Sequence, residues 1–76
     1  MTDLTFGQRA VGLTFNPSGD EDVGKVKQAY AEIIDTLNEL RNDASYDKEK
    51  QRLCSIAITE AQAAQMWAVK AITWRE

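Results

Sequence analysis

The chain reads as an all-α protein: an antiparallel two-helix hairpin with an irregular or short-helical N-terminal arm, assembled as a homo-oligomer. Three observations carry that reading. Apolar residues recur every three or four positions over two long stretches, and only a short polar connection separates the two. The second stretch also carries more apolar groups than one partner helix can cover. A length of 76 residues provides for a single domain, 1–76, divided into an arm over 1–17, helix one over 19–42 and helix two over 46–73.

Along the arm, Met1 to Asn16 shows no sustained period, so it is read as extended or irregular with a helical turn near Gln8. "FNPSGDE" then punctuates the chain. Pro17 disfavours helix at Asn16. Ser18 with Glu21 three residues later forms a capping-box pattern, and the acids Asp20 to Asp22 suit the positive end of a helix beginning near Gly19. Helix one places Val23, Val26, Tyr30, Ile33, Leu37 and Leu40 on one seam, broadened by Ile34. "RNDASYD" closes it with turn and cap formers, and so short a connection makes the two helices antiparallel neighbours. Helix two should begin near Tyr46, capped by Ser45 with Asp47 and Glu49 in its first turn, and meets no Gly or Pro before Thr73.

Helix two has two faces. Ala57, Ala61, Ala64, Ala68 and Ala71 form a small-residue stripe suited to a close seam against helix one. Leu53, Ile56, Met66, Trp67, Val69, Ile72 and Trp74 remain for other contacts. Large exposed apolar patches mark interaction sites, and a second copy of the chain is the simplest cover. Size argues the same way, because a domain this small buries only about 60% of the surface its unfolded chain exposes. With one cysteine, Cys54, and no histidine, neither an internal disulfide nor a zinc site can compensate. Oligomerisation is the remedy left.

Several function classes recede on composition. A net charge of −3 opposes a broad electrostatic grip on DNA or RNA. No signal-peptide pattern opens the chain, and Glu60, Gln62, Gln65 and Lys70 interrupt the apolar stretches that a membrane span would need. The absence of disulfides fits a reducing cytosol. Without histidine or a recognisable nucleophile, no catalytic residue, metal ligand or cofactor site is assigned, and an enzyme is not expected.

Taken singly, the remaining motifs have plain readings. Cys54 is a small core residue, Arg52 a surface group paired with Glu49 or an acid of helix one, and Thr59 a hydroxyl bonded back to a helix carbonyl. Trp67 and Trp74 are core or interface anchors, and Lys70 covers apolar surface with its stem. "FNPSG" is a loop into a helix; its functional reading sets Phe15 as a base-stacking aromatic beside a helix N-terminus.

Together, "FNPSG", the Val-rich start of helix one and "RLCSIAITEAQAAQMWAVKAITW" resemble a family of small phage hairpin proteins, sponges for immune nucleotides shared by anti-CBASS and anti-Thoeris inhibitors. The resemblance spans Val11 to Trp74. It implies a helical homo-oligomer, commonly a hexamer, acting in the cytoplasm of the infected bacterial host. Such an assembly would hold cyclic oligonucleotides without cleaving them: cyclic dinucleotides, cGAMP among them, with trinucleotides also in scope. The aromatic that stacks on a base matches Phe15, within the motif Phe15-Asn16-Pro17-Ser18. The helix-one lysine that meets phosphate matches Lys27, with Lys25 close by. The helix-two arginine and threonine match Arg52 and Thr59, while Met66, Trp67, Val69 and Trp74 are assigned to contacts between chains. Phe15 stands where some relatives carry Tyr, and Lys70 where some carry arginine, which keeps the charge without the planar fork. The alternatives are a Thoeris antagonist holding a cyclic ADP-ribose isomer and a structural or protein-binding helical oligomer.

Overall fold

The computed structural model describes residues 3–75, which form three helices and no strand: α1 over Phe6–Ala10, α2 over Glu21–Arg41 and α3 over Lys48–Thr73. α2 and α3 are the two arms of the hairpin. They run antiparallel, since Arg41 at the end of α2 bonds Ser55 near the start of α3 (Nη1 to Oγ, 3.1 Å) while Val23 shares a cleft with Val69 and Thr73. The guanidinium of Arg41 also stacks 5.5 Å from the centre of the Phe6 ring, so all three helices meet at this residue.

α1 is short but strongly specified. Thr5 and Gln8 form a capping box, with Thr5 Oγ1 accepting from the Gln8 amide at 3.1 Å and Gln8 Oε1 from the Thr5 amide at 2.9 Å. At its other end Gly12 takes a left-handed φ of 63°, and the amides of Gly12 and Leu13 bond back to Arg9 and Gln8. That is the Schellman arrangement, and it requires a residue without a Cβ penalty at Gly12. The helix docks on α2 at Gly7, whose amide donates to Asp35 Oδ1 at 2.7 Å. A Cβ on Gly7 would lie 2.1 Å from the carbonyl oxygen of Ala31, a backbone atom that cannot move aside. Gly7→Ala should therefore lift α1 off α2 and cost about 1–3 kcal/mol, as overpacking does. A thermal melt followed by circular dichroism should shift down by several degrees; an unchanged midpoint would contradict this docking.

The core is small: Val11, Ala31, Ile34 and Ile58, with Val23 and Cys54 also buried. Its geometry keeps part of each predicted seam and corrects the rest: Val23 and Ile34 are buried, and Tyr30, Leu37 and Ala61 pack against the core, as expected. On α2 the buried positions are Val23, Lys27, Ala31 and Ile34, whereas Ile33 is half exposed. The seam shifts because α2 is covered by α1 as well as by α3. On α3 the buried positions are Cys54, Ile58 and Gln65, with Ala61 packed against the core; Ala64 and Ala71 are exposed. The alanine stripe is thus not the contact line. The arm takes part of that space, as Gln62 Nε2 donates to the Ala10 carbonyl at 3.3 Å.

Both long helices start later than expected, with different caps. Gly19 is left-handed (φ 69°) and cannot join α2, so Asp20 is the N-cap, its carboxylate accepting from the Asp22 amide at 2.8 Å. Ser18 serves the preceding turn instead, accepting from the Asp20 amide. Before α3, the Ser45 amide and hydroxyl both donate to Asp43 Oδ1 at 2.8 Å, holding the Asp43 carboxyl below its usual pKa, the backbone bond contributing most. Asp47 then caps α3 through Lys50. α2 ends at Arg41, with Asn42 as its cap; α3 ends at Thr73.

The Cα trace measures 46 × 33 × 12 Å, a thin plate. A hairpin with one arm laid on it has no second layer for its remaining faces. Phe15, Leu53, Met66, Trp67 and Trp74 are accordingly more than half exposed. Among the described residues no helix is long and apolar enough to cross a membrane.

Candidate functional site

A cleft of about 670 Å³ opens between the Gly12–Ser18 loop and the last third of α3. Its buried members, Val11, Val23, Lys27 and Gln65, form the floor, and its rim carries exposed Arg9, Phe15, Pro17, Ser18 and Met66. The size lies within the roughly 300–1,000 Å³ of small-molecule sites, and a mostly apolar lining with a few polar groups is their usual composition.

The loop is built by its own side chains. Asn16, Pro17, Ser18 and Gly19 make a turn closed by the Gly19 amide on the Asn16 carbonyl at 3.1 Å. Asn16 Nδ2 donates to the Asp20 carbonyl, and Asn16 Oδ1 accepts from the Ser18 hydroxyl at 2.7 Å. Both polar side chains are therefore engaged within the loop.

Lys27 fixes the loop to α2. It is only 6% exposed, and its ammonium donates to the carbonyls of Gly12 (3.0 Å) and Phe15. The Phe15 amide closes the same turn onto the Gly12 carbonyl at 2.9 Å. One lysine thus clamps both ends of a tight turn and stands 5.6 Å from the centre of the Phe15 ring. One of the three ammonium N–H donors has no hydrogen-bond partner among the described residues. The ring itself is 71% exposed. Its backbone is held by the clamped turn at the edge of an apolar cleft, and its own chain leaves most of the ring uncovered.

Phe15, Asn16, Pro17, Ser18 and Lys27 are brought together, and Met66 and Val69 join them in the lining. Arg52 and Thr59 lie elsewhere on α3. Arg52 pairs with Glu49 at 2.5 Å on the surface, a contact of little energetic weight, and Thr59 Oγ1 bonds the Ser55 carbonyl at 3.2 Å. Arg52 is about 20 Å along the axis from Met66, by the rise of an α-helix. Yet Arg52, Thr59, Met66 and Thr73 are spaced by sevens, so the stripe of α3 that reaches the cleft continues outward through both. Trp67 and Trp74 lie outside the cleft, with the Lys70 ammonium 5.4 and 5.8 Å from their ring centres.

Sequence reading missed Arg9, Val23 and Gln65 as cleft residues. Gln65 was legible only as a polar interruption of an apolar run; its place became visible once the seam ran Cys54, Ile58, Ala61, Gln65. Lys25 is exposed on α2 and does not line the cleft. Among the described residues no three Cys, Asp or Glu side chains converge as metal ligands.

No curated protein and no solved structure matches the chain significantly. A family model does: the Acb2/Tad1 hairpin domain matches residues 8–73, nearly the whole chain, including the loop, α2 and α3. The chain belongs to the Acb2/Tad1 hairpin family, the anti-CBASS and anti-Thoeris sponges, a family of binding domains known for taking up cyclic oligonucleotides.

Proposed function

We propose that this protein is a non-enzymatic sponge that sequesters cyclic oligonucleotide second messengers, cyclic dinucleotides first, and so blocks CBASS signalling in the infected host cytoplasm. The observation that carries the proposal is the exposed Phe15 ring clamped by a buried lysine at the mouth of an apolar cleft. Phe15 stacks on a base, and the free N–H of Lys27 meets phosphate. Asn16, Pro17 and Ser18 hold the ring in place. In an oligomer, a hexamer by family likeness, Arg52 and Thr59 of a neighbouring copy complete the site, because their stripe is exposed and leads away from the cleft of their own chain. Met66, Trp67, Val69 and Trp74 form the contacts between copies, and the site needs no metal or cofactor.

The family also includes Thoeris antagonists, so a cyclic ADP-ribose isomer is the second ligand class to test. Isothermal titration against cyclic di- and trinucleotides and that isomer should show binding near nanomolar Kd for one class, and proteolysis should release it intact. Phe15→Ala should weaken it about 5- to 150-fold per stacked base, the worth of one stacking contact. Absence of binding at micromolar concentration, or recovery of a linearised product, would overturn the proposal.

A further inference from the structure

The polar groups of the cleft can be accounted for one at a time. Asn16 and Ser18 are engaged within the loop, and Thr73 Oγ1 bonds the Val69 carbonyl at 2.8 Å. Lys27 uses two of its three donors on carbonyls. The Arg9 guanidinium also makes no hydrogen bond to a described residue, but it stands exposed on the rim, open to solvent. Gln65 differs. It is 6% exposed, yet its side-chain amide makes no hydrogen bond to any described residue. No side-chain nitrogen or oxygen among the described residues is both fully buried and unpartnered. The little surface Gln65 retains therefore includes its amide, and Gln65 is one of the residues that line the cleft.

In the free chain the amide of this nearly buried glutamine has only water to pair with, and a ligand edge that meets both of its atoms can replace that water. Such a group has a direction: one acceptor and one donor pair, side by side, aimed at whatever enters. A phosphate, which only accepts, would leave the carbonyl unpaired. A nucleobase edge that offers a donor beside an acceptor satisfies both, and adenine presents that pair at N6 and N7.

We infer that Gln65 is the base-reading residue of the cleft, making a two-point contact to the edge of an adenine whose face stacks on Phe15. The inference rests on the nucleotide-binding reading above. It assigns the two walls different tasks. Phe15 contributes affinity that any base can use, while Gln65 contributes the choice among bases.

The test uses the full chain, cyclic di-AMP, and its analogue in which purine replaces adenine and so lacks the N6 amine. Wild type should bind cyclic di-AMP about tenfold or more tightly than the analogue, the selectivity expected of one bidentate base contact. Gln65→Met, of similar length and without polar atoms, should bind the two equally while keeping wild-type helicity. Equal affinities in wild type, or a preference that survives Gln65→Met, would overturn the inference and leave the sponge reading standing. Failure of wild type to bind either probe or any other cyclic nucleotide would remove both. Should Gln65→Met fail to fold, the wild-type chain decides: the Gln65 side-chain NH₂ resonances should move on adding cyclic di-AMP and stay in place with the analogue, and resonances that respond alike would overturn the inference.

Discussion

Lys27→Met should abolish tight nucleotide binding while leaving most of the helix in place. In the native chain the ammonium joins α2 to the carbonyls of Gly12 and Phe15, so its loss frees the turn that presents the ring. Hydrogen bonds to charged groups contribute about 1.5–3 kcal/mol each. The freed carbonyls lie in a surface loop and can recover water, so the melting temperature should fall by less than two such bonds imply. Binding has no such recourse. The variant loses the cation that the proposed site sets against phosphate and, with it, the clamp on the turn that carries Phe15. Removing one partner of a desolvated charge pair costs about 2–5 kcal/mol, at least roughly 30-fold in Kd. Titration should show a larger loss than Phe15→Ala, and Lys27→Arg should not rescue it, because a planar fork cannot reproduce the two carbonyl contacts. Binding within fivefold of wild type would mean that Lys27 is only a loop clamp.

The double role of Lys27 shows where sequence reading stops. A lysine at that position could be named from family likeness, but nothing in its neighbours announces burial. That follows from the arm folding back along α2, which places Gly7 against Ala31 and Gly12 beside Lys27. Periodicity describes a helix facing one partner, and α2 faces two. Hence Ile33, in phase with the predicted seam, is half exposed, while Ala31, outside it, is fully buried under Gly7. The helix types, the hairpin and the end at Thr73 were legible because they depend on local spacing and on the absence of breakers. The caps were less so, because Ser18 and Asp20 compete for one helix start and the left-handed Gly19 decides between them. Gln65 was the least legible, since a glutamine within an apolar run looks the same in sequence whether it faces solvent or a ligand.

The second large effect expected is on assembly. Trp67→Ala combined with Trp74→Ala should convert the proposed oligomer to monomers at micromolar concentration, as read by light scattering, where the wild-type chain should show the larger assembly. The two rings are 70% and 65% exposed, and Met66 beside them is 63% exposed. They contribute little to the core of their own chain, so helicity should be retained. In the proposed assembly they would anchor one copy on the next: Lys70 lies near both ring centres, and cation–π attraction favours these side-chain positions before a partner arrives. A tryptophan buried at the centre of an interface is commonly worth about 2 kcal/mol or more, and the proposed interface would bury two per chain. Dissociation has a functional consequence as well. If Arg52 and Thr59 reach the cleft only from a neighbouring copy, the monomer keeps Phe15, Lys27 and Gln65 yet binds more weakly than the assembly. A double variant of wild-type mass would place the interface elsewhere, on the Leu53 and Ile56 side of α3. A monomer that binds as tightly as the assembly would show that one chain holds the whole site.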